Sequence, residues 1–121
     1  MAANELVIYH GGFLSPQKRK LVSMISQAIS KGVPVYFWAD IDLGGFQMFA
    51  HLQQLIPELQ PMRMTGEDVV AYHETGLSRS VDYLEKLRAA LEKAEYPLFE
   101  NAIKCIIEYG VTIEQEVVLS R

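Results

Sequence analysis

The spacing of apolar positions changes several times along the chain, and each change marks an element. "ELVIYH", residues 5–10, is rich in β-branched and aromatic residues and runs into Gly11-Gly12, the pattern of a short buried strand. Ser15 then stands as a helix N-cap before Pro16 at the first helical position. In "QKRKLVSMISQAISKG" the residues Leu21, Val22, Met24, Ile25, Ala28 and Ile29 fall on one helical stripe, with Gly32 as C-cap. "VPVYFWAD" is nearly continuous in apolar residues, as expected of a strand covered on both faces. Gly44-Gly45 breaks that run, and "FQMFAHLQQLI" resumes helical spacing through Phe46, Phe49, Leu52 and Ile56 until Pro57 stops it.

Further along, "QPMRM" is a candidate third strand. Residues 65–80 are polar and ambiguous, with room for one helical turn at "GEDVVAYHE". "SVDYLEKLRAALEKAEY" predicts an amphipathic helix, and "LFENAIKCIIEY", after Pro97 and before Gly110, predicts another. "VTIEQEVVL" alternates like a strand. The chain has no internal repeat and no low-complexity segment.

This order, β-α-β-α-β, then helices, then a last strand, predicts one α/β domain over residues 1–121 with a mainly parallel, Rossmann-like sheet flanked by helices. Its crossovers should be right-handed. Ligands of such sheets bind beyond the carboxyl ends of the strands. Asp40 and Asp42 stand at one such end, and Gly11 and Gly12 at the end of the preceding strand.

In an extended segment Asp40 and Asp42 point to the same side, with Cα atoms about 6.5 Å apart. Two carboxylates that close repel at a partly buried edge. A hard divalent cation relieves the repulsion, because Mg²⁺ takes one or two carboxylates and completes its octahedron with water or phosphate oxygens. Gly44 and Gly45 would let the backbone turn tightly and a bulky substrate approach. This spacing suits a site that handles phosphodiesters, where the metal polarises the phosphoryl group and activates water. The same residues are also what an ordinary strand-to-helix turn uses, since aspartate caps helices and glycine makes turns.

Composition narrows the class. A chain of 121 residues, half of them hydrophobic, can bury roughly two thirds of its unfolded surface, enough for a single core. No apolar run approaches the ~20 residues of a membrane span, and "MAANELVIYHGG" lacks the features of a secretory signal. The single cysteine, Cys105, permits neither an internal disulfide nor a thiolate metal site, which fits a reducing cytoplasm. The net charge of −4 argues against a broad nucleic-acid surface on this domain alone, while agreeing with carboxylates that hold cations.

"VYFWADIDLGGFQMF" resembles the D-x-D-x-x-G segment of Toprim domains in the topoisomerase VI A-like group. "VIYHGGFLSPQKRKLVSMI" is similar to the glycine-bearing strand, turn and helix that precede it there. "YFWADIDLGGFQMFAHL", then "ELQPMRM", then "TIEQEVV" looks closer still to the C-terminal domain of the JetD family of nuclease subunits in Wadjet plasmid-defence systems. The resemblance covers residues 5–64 well and residues 110–118 in part. It implies a Toprim fold that binds Mg²⁺ or Mn²⁺ and cuts DNA as part of a longer protein with SMC-like partner subunits. Asp40 and Asp42 would then be metal ligands and Gly45 the motif glycine. Toprim domains carry a catalytic glutamate on an earlier strand. Glu5 sits at the wrong end of its strand to replace it, so the chain is expected to be a C-terminal piece that is inactive alone.

Other candidates follow from position. Glu114 and Glu116 alternate onto one face of the expected last strand, as further catalytic carboxylates or as a solvated edge. His10 at the active edge is a structural strand-end histidine or a phosphate contact, and Lys18, Arg19 and Lys20 are a solvated charge run or contacts to DNA phosphates. His51 and His73 read as surface residues, Cys105 as an inert core thiol, and the tyrosines as packing groups. An open sheet edge could support a homodimer. Two rival functions remain: a Toprim-like module that binds DNA or a partner without cutting, and a haloacid-dehalogenase-type phosphohydrolase. The second lacks the later lysine and acidic pair of its class.

Overall fold

A computed structural model describes residues 6–9 and 18–119. His10, Gly11, Gly12 and the expected Ser15-Pro16 cap lie outside the described residues, as do the side chains of Lys18, Arg19 and Lys20.

Three strands form an all-parallel sheet in the order β1-β2-β3: β1 (Leu6–Tyr9), β2 (Val35–Trp38) and β3 (Leu59–Pro61). Tyr9 pairs in register with Trp38, so β1 and β2 end at the same level. Val35 faces Leu59 and Phe37 faces Pro61 across the other pairing. Helix α1 (Lys18–Ser30) connects β1 to β2, and α2 (Leu43–Leu55) connects β2 to β3. The central strand is buried almost throughout, as its apolar run requires. Ile25 and Ala28 of α1 are buried as the stripe predicted, but Met24 is 44% exposed and lies off it. Gly32 adopts the left-handed conformation of a C-cap, with φ 71°.

α2 buries Phe46 and Phe49. Phe46 stacks on Phe99 at 4.6 Å between ring centroids, while Phe49 meets Phe99 edge-on at 5.2 Å and Phe37 at 6.0 Å. Such aromatic contacts add to the gain from burial and fix α2 against both the sheet and the C-terminal half.

The ambiguous region is mostly helical. α3 (Gly66–Tyr72) begins with a reciprocal capping box between Thr65 and Asp68 and packs on α5 (Glu100–Tyr109), burying Val69. Gly66 is buried there because a Cβ would collide with the Asn101 side-chain amide. A 3-10 turn (His73–Thr75) and a two-residue strand, β4 (Leu77–Ser78), lead into α4 (Val81–Glu92), capped by Ser80. A second 3-10 turn, Pro97–Phe99, enters α5, which ends at Gly110 in the left-handed conformation.

The last segment departs from expectation. β5 covers only Val111–Thr112, pairs antiparallel with β4 rather than joining the parallel sheet, and gives way to a short helix, α6 (Gln115–Leu119). Among the described residues the protein is a mixed α/β fold with a three-stranded parallel sheet and a separate two-stranded antiparallel one, and not a clear Rossmann-like sheet as the element order predicted. Among the described residues no helix is long and apolar enough to cross a membrane.

Candidate functional site

Beyond Trp38 the chain stays extended for a few residues and threads three groups into the carboxyl edge of the sheet. Ile41 is 1% exposed and forms an antiparallel bridge with Ile113, with N–H to O distances of 2.7 and 3.2 Å. Asp40 and Asp42, on either side of it, are half-buried, as a period of two demands. Together with Ala39, Gly44 and Gly45 they line one solvent-open concavity of about 280 Å³.

Each aspartate is oriented by a backbone donor. Gly45 N–H donates to Asp42 Oδ1 at 2.7 Å, making Asp42 the N-cap of α2. Gln115 N–H donates to Asp40 Oδ1 at 2.6 Å, which sets the Asp40 carboxylate at the start of α6. Both negative groups thus face the positive ends of helices, which offsets part of their mutual repulsion. Gln115 also donates through Nε2 to the Trp38 carbonyl at 3.1 Å. A carboxylate oxygen has more than one lone pair, so these bonds orient the groups without exhausting their capacity as ligands.

The glycines act differently from expectation. They lie inside the first turn of α2 rather than forming a break before it, and neither has a positive φ. Gly45 is buried because a Cβ would fall on the Asp40 carbonyl oxygen, and Met64 closes in from the other side. Gly44 is exposed, and a Cβ there would meet only Asp42 Oδ1 at 3.5 Å. Gly45 permits close packing of helix on strand end, and Gly44 leaves the backbone open to the concavity.

Tyr83 completes the start of α2, and sequence reasoning missed it. Its hydroxyl accepts the Leu43 N–H at 2.8 Å. Burial pushes the Tyr83 phenol above its ordinary value; the Leu43 hydrogen bond and the Arg79 charge pull it down, and the Asp42 charge adds to the rise. No local pattern signals this, because forty positions separate Tyr83 from Leu43.

Glu114 and Glu116 do not share a strand face. Glu114 is exposed in the link between β5 and α6, Glu116 is exposed in the first turn of α6, and the intervening Gln115 turns back to the site. Strand alternation would put Gln115 on the face opposite the two glutamates. His51 is exposed as expected, but His73 is half-buried, bonded through Nδ1 to the Val70 carbonyl at 2.7 Å and set against Tyr109 at 4.4 Å. Cys105 is half-buried, and burial, with the Glu108 charge second, raises its thiol pKa, in keeping with an inert thiol. Among the described residues no group of three or more histidine, cysteine, aspartate or glutamate side chains is arranged to hold a metal.

Comparison with known proteins identifies the family. Residues 1–121 match the family described as Wadjet protein JetD, C-terminal. The chain is 32% identical over 121 residues to the Wadjet protein JetD of Bacillus cereus (strain Q1), covering 96% of this chain and 29% of that protein. No solved structure matches. The chain belongs to the JetD C-terminal family of Wadjet proteins.

Proposed function

We propose that this chain is a Toprim-type, metal-binding catalytic domain of a plasmid-defence endonuclease that hydrolyses DNA phosphodiesters. The observation that carries the reading is the presentation of Asp40 and Asp42 in one open concavity beyond β2, each held by a backbone N–H. Two oxygen-donor carboxylates suit Mg²⁺ or Mn²⁺, which readily leave their other positions to water and phosphate. When bound, the ion would polarise a phosphoryl oxygen and supply activated water. The residues themselves position: α6 and Gln115 orient Asp40, Tyr83 and Gly45 set the start of α2 around Asp42, and Gly44 admits the substrate backbone. Family membership supports a place among Wadjet proteins; on this reading DNA and SMC-like subunits are its partners and the cytoplasm is its compartment. The matched relative is much longer than this chain, so cutting is assigned to the full-length context, where a glutamate-bearing strand would complete the site.

A second reading has its own support. Both aspartates have structural duties at helix starts, and Glu114 and Glu116 do not converge on them. A non-cutting module that binds DNA would look the same. Plasmid cleavage by the full-length protein with Mg²⁺ or Mn²⁺ separates the two. Asp40→Asn and Asp42→Asn each keep an oxygen for the backbone N–H while removing the charge, and each should cut at least 100-fold more slowly. Undiminished cutting by both variants, or no cutting by the wild type, would defeat the nuclease reading.

A further inference from the structure

Two arginines sit over aromatic rings of residues next to the aspartate segment or bonded to it. Arg63 follows β3 at the carboxyl edge of the sheet and lies over the Trp38 ring at 5.2 Å. Arg79 precedes α4 and lies over the Tyr83 ring at 4.8 Å. Trp38 ends the strand that leads to Asp40, and the Tyr83 hydroxyl bonds the residue after Asp42. From these positions, resting on the phosphodiester reading above, we infer that Arg63 and Arg79 bind backbone phosphates of DNA engaged at the concavity.

Three features support the assignment. Neither arginine forms an ion pair with a carboxylate among the described residues, although the protein is acidic overall. The ion pairs that do occur there, Arg88 with Glu85 and Lys104 with Glu100, lie along exposed helix faces. Both arginines are also held in place. Arg79 donates its backbone N–H to the Gly110 carbonyl at 2.9 Å and Nε–H to Thr112 Oγ1 at 2.7 Å, a bond that leaves the terminal nitrogens directed elsewhere. Arg63 has φ 54°, a left-handed conformation that a long side chain seldom adopts, and Met64 beside it is buried and packs toward Gly45. Finally, a guanidinium held over a ring by a cation–π contact keeps N–H donors for other partners, and Arg donors suit phosphate oxygens.

The test is duplex DNA binding by the full-length protein, followed by fluorescence anisotropy across a series of salt concentrations. Thermal melts of each variant establish that it is folded. Each phosphate contact contributes about 0.9 to the slope of log K against log salt. Arg63→Gln and Arg79→Gln should each flatten the slope by about that amount, and the double variant by about twice as much. Arg88→Gln should leave the slope unchanged. Unaltered slopes in folded glutamine variants, or an equal flattening in Arg88→Gln, would overturn the arginine assignment while leaving the aspartate site standing. A wild-type protein that binds no DNA would overturn both.

Discussion

At the scale of single residues, Gly44 and Gly45 are adjacent in sequence but serve different ends. A methyl group at Gly45 would overlap the Asp40 carbonyl oxygen, a backbone atom that cannot swing aside. Gly45→Ala should therefore cost about 1–3 kcal/mol in urea unfolding, as forced overpacking does. At Gly44 the methyl has room, and alanine favours the helix by up to about 1 kcal/mol over glycine. Gly44→Ala should leave stability equal or higher. Any loss of DNA cutting in that variant then reports the approach of substrate to the backbone. Equal destabilisation by the two substitutions would show that helix packing against the strand end is not what requires Gly45.

At the scale of elements, the site depends on contacts between segments far apart in the chain. Tyr83 of α4 caps α2, and Asp40 beyond β2 receives the first N–H of α6 from 75 positions away. Tyr83→Phe removes the acceptor for Leu43 N–H and should cost about 1 kcal/mol. It should also change the alkaline limb of stability. The Tyr83 pKa is raised in the folded state, so the contribution of this group is full below its ordinary value of 10.0 and declines as pH rises from there through the folded value. Urea unfolding between pH 9 and 11 should show a weaker decline in Tyr83→Phe than in the wild type. Identical curves would remove Tyr83 from the account.

These same contacts explain which elements could be read from sequence. β1, β2, α1, α2, α4 and α5 were legible because their apolar periods are local, whereas β3 covers Leu59–Pro61 and only overlaps the expected "QPMRM". α3 was carried by Thr65 and Asp68, a cap-to-N3 pairing that lay unused within a polar stretch. The last segment misled because "VTIEQEVV" satisfies strand alternation for as long as it can pair. Pairing ends after Thr112 apart from the Ile113 bridge, and a carboxylate from Asp40 then starts a helix. Asp40 and Asp42 were recognisable as a pair. Gln115, Tyr83 and the aromatic-seated arginines were not, because no short-range pattern encodes a partner that the fold brings from elsewhere.

At the scale of the whole molecule, three segments of an acidic domain meet at one edge of a small parallel sheet: the extended link beyond β2, the start of α4, and the turn into α6. The core fixes that meeting. Ile41 and Ile113, each at most 1% exposed, hold the link between the aspartates against the C-terminal segment, so the two carboxylates keep their relation while remaining open to solvent. The central claim is that this arrangement is a divalent-cation site. Its most direct test is Mn²⁺ titration calorimetry on the full-length protein beside its Asp40→Asn/Asp42→Asn double variant, with both shown to be folded by their melting curves. The account predicts saturable binding by the wild type that weakens at least 100-fold in the double variant. Equal Mn²⁺ binding by the two, or no binding by the folded wild type, would contradict it.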